Sequence, residues 1–141
     1  MSQASAAPGA LRGGPRLLER LEGLAMMAMA LAFVWFATVP PFNGNLFALL
    51  LLFFAPDLSL LAYLAGPRIG AIVYNAAHTY ITPFALAAVS FKLLALPAFS
   101  FAILWIAHIG FDRALGYGLK YASGFSDTHL GVIGGASKRS E

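Results

Sequence analysis

No acidic or basic residue occurs between Glu22 and Asp57, only Asp57 and Arg68 occur from there to Phe91, and none occurs from Leu93 to Phe111. Charge-free runs of this length match the ~20 apolar residues that an α-helix needs to cross the ~30 Å hydrocarbon core of a bilayer. In lipid every backbone N–H and C=O must be satisfied by protein, so such runs fold as helices. Composition agrees: 60% of the chain is hydrophobic and 11% charged, against about 45–50% and about 25% in soluble domains. A water-soluble fold is excluded on this reading. The expected class is all-α, an integral membrane four-helix bundle.

Turn and breaker residues divide the chain. Residues 1–15, rich in Ser, Ala, Gly and Pro, are expected to form a disordered tail. The first helix is expected over about 17–39, ended by Pro40-Pro41 and Asn43-Gly44-Asn45. The second covers about 46–64 with Pro56-Asp57 inside it, the third 69–91 after Gly66-Pro67, and the fourth 94–112, with Lys92 in the tight connection before it. Together with an interfacial segment at 113–133 they make one transmembrane domain, 16–133, followed by a second disordered tail at 134–141. A secretory signal peptide fits the first segment poorly, because its apolar run exceeds the usual ~7–15 residues and no small-x-small site follows. Cysteine is absent, so disulfides and thiolate metal sites are excluded.

The basic residues set an orientation, because Lys and Arg collect on the cytoplasmic side of membranes. Arg12, Arg16 and Arg20 precede the first helix, Arg68 lies between the second and third, and Arg113, Lys120, Lys138 and Arg139 follow the fourth; Lys92 alone falls opposite. Both termini are therefore expected to be cytoplasmic. The net charge of +3 is explained by this topology. Basic and aromatic residues are not clustered as a nucleic-acid surface requires, so the expected partner is the lipid bilayer.

Ionisable groups inside a bilayer are costly and mark candidate sites. Asp57, His78 and His108 fall within spans, with Glu22 and Asp112 near span ends. At 1.5 Å per residue Asp57 sits roughly 12–14 Å from the cytoplasmic end of its helix, and His78 at a similar depth. Tyr74, Asn75 and His78 share one helical stripe, and Trp105, His108 and Asp112 share another. Such stripes avoid lipid, so they are expected to face inward around one polar pocket, with Arg113 at its rim.

Carboxylate and imidazole donors on facing helices are also the supply of bundle metal sites. Asp57, His78, His108 and Asp112 are the candidate ligands, and zinc, iron or manganese suits them. Each residue also has a plainer role. Pro56-Asp57 restarts a helix kinked by loss of an N–H, a buried His can simply donate to a carbonyl, and Asp112-Arg113 can pair with Glu22 or Arg68. The segment after the fourth helix either lies in the headgroup layer or folds back as a lid carrying Lys120 or His129. Gly116-Tyr117-Gly118 lacks the pore helix and fourfold context of a potassium filter.

The strings Arg20-Leu21-Glu22-Gly23, Pro56-Asp57-Leu58-Ser59, Tyr63 to Ala71, Tyr74-Asn75-Ala76-Ala77-His78, Trp105 to Arg113, Gly116 to Tyr121 and Thr128-His129-Leu130 resemble those of a bacterial family of small integral membrane proteins, domain of unknown function 4260. The resemblance covers about residues 17–133 and implies a four-helix architecture in the bacterial inner membrane, without an activity, substrate or cofactor. A fainter likeness, through Pro-Asp and intramembrane His, is to membrane-bound metal-dependent hydrolases, whose paired Asp-His strings are missing here. Three functions fit: an intramembrane polar site, metal-loaded and hydrolytic, open to the cytoplasm; proton or small-solute translocation, which needs a homo-oligomer; and a non-catalytic membrane subunit whose polar core sets helix register.

Overall fold

A computed structural model describes residues 9–37 and 45–133, which fold into five α-helices, one 3-10 segment and a two-stranded hairpin. The class is all-α. Of the tail expected at 1–15, residues 1–8 lie outside the described residues, as do the tail expected at 134–141 and the end of the first helix near residue 39; residues 9–15 are described and enter α1 at Gly13.

Helix α1 runs Gly13–Phe36, beginning before the expected boundary because the chain ahead of it is held: Leu11 N donates to His129 O at 2.7 Å. Helix α2, Leu46–Phe53, is capped by the Asn45 side chain accepting from Ala48 N. Pro56 then stops α-helical bonding, and Ala55–Ala65 continues as a 3-10 helix instead of resuming α geometry. Gly66, at φ +109°, turns the chain into α3, Pro67–His78.

The third expected helix is where sequence and structure differ. In place of one helix over 69–91 there are two, α3 and α4 (Ile81–Lys92), with Thr79 extended between them at ψ 143°. Pro83 is the physical reason: it has no N–H, and its ring excludes a helical carbonyl at Thr79. The carbonyls freed at the end of α3 are taken by other elements. Ala76 O accepts from Thr82 Oγ1 at 2.5 Å, Ala77 O from Trp105 Nε1 at 2.6 Å, and His78 O from the Arg113 guanidinium at 3.3 Å. A break in the middle of an apolar layer is tolerated only when its polar groups find partners in this way.

Helix α5, Leu96–Leu115, is the centre of the molecule and packs against α1, α2 and α4. Its crossing with α1 is backbone-close at Gly23 and Gly110: a Cβ on Gly110 would lie 2.6 Å from Gly23 O and 2.7 Å from Met27 N. It ends in a Schellman turn on Gly116, with Tyr117 N bonded to Asp112 O and Gly116 N to Arg113 O. The Gly116-Tyr117-Gly118 string thus terminates a helix. Residues 117–133 fold back as a cap, pinned by the hairpin β1 (Asp127–Thr128) and β2 (Gly131–Val132) and by a bridge between Lys120 and Thr128.

Two stretches, Leu46–Ala65 and Leu96–Leu115, are long and apolar enough to cross a membrane. The surface carries large apolar side chains in the open, including Trp35, Phe36, Phe47, Leu64, Ile81 and Leu94.

Candidate metal centre

Four side chains from three elements converge. Asp57 comes from the first turn of the 3-10 segment, His78 from the last turn of α3, and His108 and Asp112 from successive turns of α5. His78 Nε2 lies 3.2 Å from His108 Nε2. Asp57 Oδ1 is 3.4 Å from both imidazole nitrogens, and Asp112 Oδ2 is 3.5 Å from His78 Nε2 and 3.7 Å from His108 Nε2. All four donor atoms fall within 4.8 Å of one another. Both histidines are fully buried, Asp112 is largely so, and Asp57 is partly open.

The surroundings orient the donors. His78 Nδ1 sits 3.0 Å from the Tyr74 carbonyl, which can only accept. Neutral His78 therefore carries its proton on Nδ1 and turns the Nε2 lone pair toward the cluster, as metal-ligating histidines do. The Tyr74 ring stacks on His78 at 3.8 Å, and its hydroxyl donates to Asp112 Oδ2 at 3.4 Å. Phe53 and Phe54 meet the His108 ring edge to face. His108 Nδ1 has no hydrogen-bond partner among the described residues.

A cavity of about 370 Å³ opens beside the cluster, lined by Asp57, Asp112, Tyr74 and Lys120 and by apolar side chains including Phe54 and Phe111. Lys120 belongs to the cap. Asn75 holds its backbone on both sides, Nδ2 donating to Lys120 O at 2.8 Å and Oδ1 accepting from Lys120 N at 2.7 Å. The ammonium donates to Phe125 O at 2.8 Å and lies over the Phe125 and Tyr74 rings. Burial holds it below the usual lysine range, against the opposing pull of Asp112 and Asp57.

The remaining candidates take other places. Glu22 is exposed and lines a second cavity of about 240 Å³ with Glu19, Tyr80 and Arg113. It does not join the cluster, because α1 turns Gly23 rather than Glu22 into its contact with α5. Trp105 closes the end of α3 through Ala77 O. Arg113 is buried and bridges His78 O to the His129 ring; among the described residues it forms no ion pair with Glu22, and Asp112 forms none with Arg68. His129 is not among the residues that line the cavity; its Nδ1 accepts from Leu119 N at 2.8 Å. Burial, then the neighbouring Arg113 charge, holds its imidazole below the ordinary range.

Sequence reasoning misses the aromatic wall. Phe111 stands three residues after His108 on the same helical face, and Phe53-Phe54 stand one residue ahead of Pro56-Asp57; both spacings signal packing on the site.

A family model matches residues 16–133 of the chain. The chain belongs to the family described as Domain of unknown function (DUF4260). All four donors of this DUF4260 chain, and the cap that carries Lys120, lie inside the matched region. No curated protein and no solved structure matches the chain.

Proposed function

We propose that this chain is a multi-pass protein of the cytoplasmic membrane, both termini inside, that binds a divalent metal ion through Asp57, His78, His108 and Asp112 and works as a membrane-embedded hydrolase. The observation that carries the reading is the set of donor separations, 3.2 to 3.7 Å across five of the six pairs. Tetrahedral coordination at about 2.0–2.1 Å puts neighbouring donors about 3.3–3.4 Å apart. Zinc comes first by this measure, with iron and manganese accepted by the same oxygen and nitrogen donors.

The cavity favours chemistry over a purely structural ion. Four protein donors complete a tetrahedral set, so a catalytic role requires water to enter from the cavity as a fifth ligand, on the side where Asp57 is partly open. A bound metal would supply a water acidic enough to attack at neutral pH. The protein's own share is clear. Tyr74 orients Asp112, the Tyr74 carbonyl sets the tautomer of His78, and Asp57 keeps its second oxygen outside the donor set, free to take a proton. The exposed apolar side chains support the membrane assignment: in water a surface of this kind would associate, whereas in lipid it is solvated. In the four-span reading of the sequence, eight of the nine basic residues fall on one side, which supports the orientation.

Metal analysis of protein purified in detergent tests the proposal. One equivalent of metal per chain is expected, lost in His78→Ala and His108→Ala. No stoichiometric metal after incubation with zinc, iron or manganese would overturn it. A proton relay built from the same four groups needs no ion, so the same assay separates translocation from hydrolysis.

A further inference from the structure

The composition of the cavity wall narrows what this site can accept. Resting on the metal reading, we infer that its ligand is an anionic amphiphile, a phosphate or carboxylate head on an apolar chain, with the head between the metal donors and Lys120 and the chain against Phe54, Leu60, Phe111 and Phe125.

Three observations carry this. First, Lys120 is a buried ammonium at the wall of the same cavity as Asp57 and Asp112. Of its three donors one is used on Phe125 O, and the others have no hydrogen-bond acceptor among the described residues. A buried cation with donors to spare recognises an anion. Secondly, the charge balance depends on the metal. Two carboxylates and one ammonium leave the wall negative, and a divalent ion reverses the sign, so the loaded site favours an anion that the empty donor set repels. Thirdly, most of the remaining wall is apolar and aromatic, which a free inorganic anion would leave unused and a hydrocarbon chain would fill. The structure also separates the two jobs of Lys120: its backbone is tied to Asn75, and its side chain serves the cavity. Replacing the side chain therefore keeps the Asn75 anchor of the cap, although it removes the bond to Phe125 O.

The test uses full-length protein in a non-ionic detergent, loaded with cobalt so that its visible bands report on the donor sphere, and titrated with dodecyl phosphate, dodecanol and inorganic phosphate. Dodecyl phosphate is expected to shift the bands saturably, with inorganic phosphate weaker and dodecanol silent. Lys120→Met is expected to bind cobalt equally and to weaken dodecyl phosphate by about tenfold or more, with Lys120→Arg in between. Dodecanol or inorganic phosphate binding as tightly as dodecyl phosphate would overturn the inference, and so would Lys120→Met matching the wild type. Each of these leaves the metal reading standing. Failure of the wild type to bind cobalt sinks the metal reading and this inference with it. If Lys120→Met alone fails to take up cobalt, the wild-type comparison of head groups decides.

Discussion

The ligand oxygens of Asp57 and Asp112 belong to a group of four donor atoms that all lie within 4.8 Å of one another, so without a cation two carboxylates face each other at close range. At an effective dielectric of about 20, two like charges at that distance repel by about 3.5 kcal/mol. The Asp57 side chain is 37% exposed, and solvent screening brings the repulsion to about 1–2 kcal/mol. Asp112→Asn removes one charge and keeps the shape. In chelator at pH 8 it is therefore expected to be more stable than wild type by about 1–2 kcal/mol. Metal reverses the order: at a zinc concentration about 1,000 times the dissociation constant, wild type gains about 4 kcal/mol. An amide is a poor ligand, and a variant whose affinity falls about 100-fold keeps only about 1.4 kcal/mol of that gain. Unfolding titrations with sodium dodecyl sulfate in mixed micelles, with chelator and with zinc, measure both terms. Asp112→Asn less stable than wild type in chelator, or equal gains from zinc in both proteins, would refute the reasoning.

Other expectations follow from single contacts. Gly110→Ala forces α1 and α5 apart, since the new methyl meets Gly23 O and Met27 N; an overpacking loss of about 1–3 kcal/mol is expected in the same titration. Asn75→Ala cuts both hydrogen bonds to the Lys120 backbone, so hydrogen exchange at residues 119–121 should quicken while metal content is retained. Burial, then the Arg113 charge, holds the His129 imidazole below its ordinary range. Its contribution to the cap is thus fully present above the ordinary imidazole value of about 6.5 and is lost as pH falls through its lower folded value. Protease cleavage of the cap should rise over that acid range and lose this dependence in His129→Gln.

Much of the site is legible in the amino-acid sequence, because one fact suffices: apolar surroundings are a poor solvent for acids and imidazoles. That fact brings together Asp57, His78, His108 and Asp112, which come from the interiors of apolar segments and meet. It fails for Glu22. Depth along a helix says nothing about direction around it, and Glu22 lies on an exposed face of α1 while its neighbour Gly23 makes the contact with α5. The kink at Pro56 is legible from chemistry, although its continuation as 3-10 helix is not. Pro83 carries the same signal as Pro56, but the run without acidic or basic residues from Ile69 to Phe91 continues on both sides of it and hides the break. The partners that make that break tolerable, Trp105 and Arg113, are remote in sequence, and no local pattern announces them. The cap is legible only as an alternative, since its anchor on Asn75 joins residues 45 positions apart.

The hydrogen bond from Leu11 to His129 has a topological meaning. It joins the chain just ahead of α1 to the cap that follows α5, so the polypeptide comes back to where it set out. A path that traverses a barrier and closes on its own origin has traversed it an even number of times. On the proposed membrane assignment, tags placed at the two ends are therefore expected to report from one compartment, independently of the distribution of arginines and lysines.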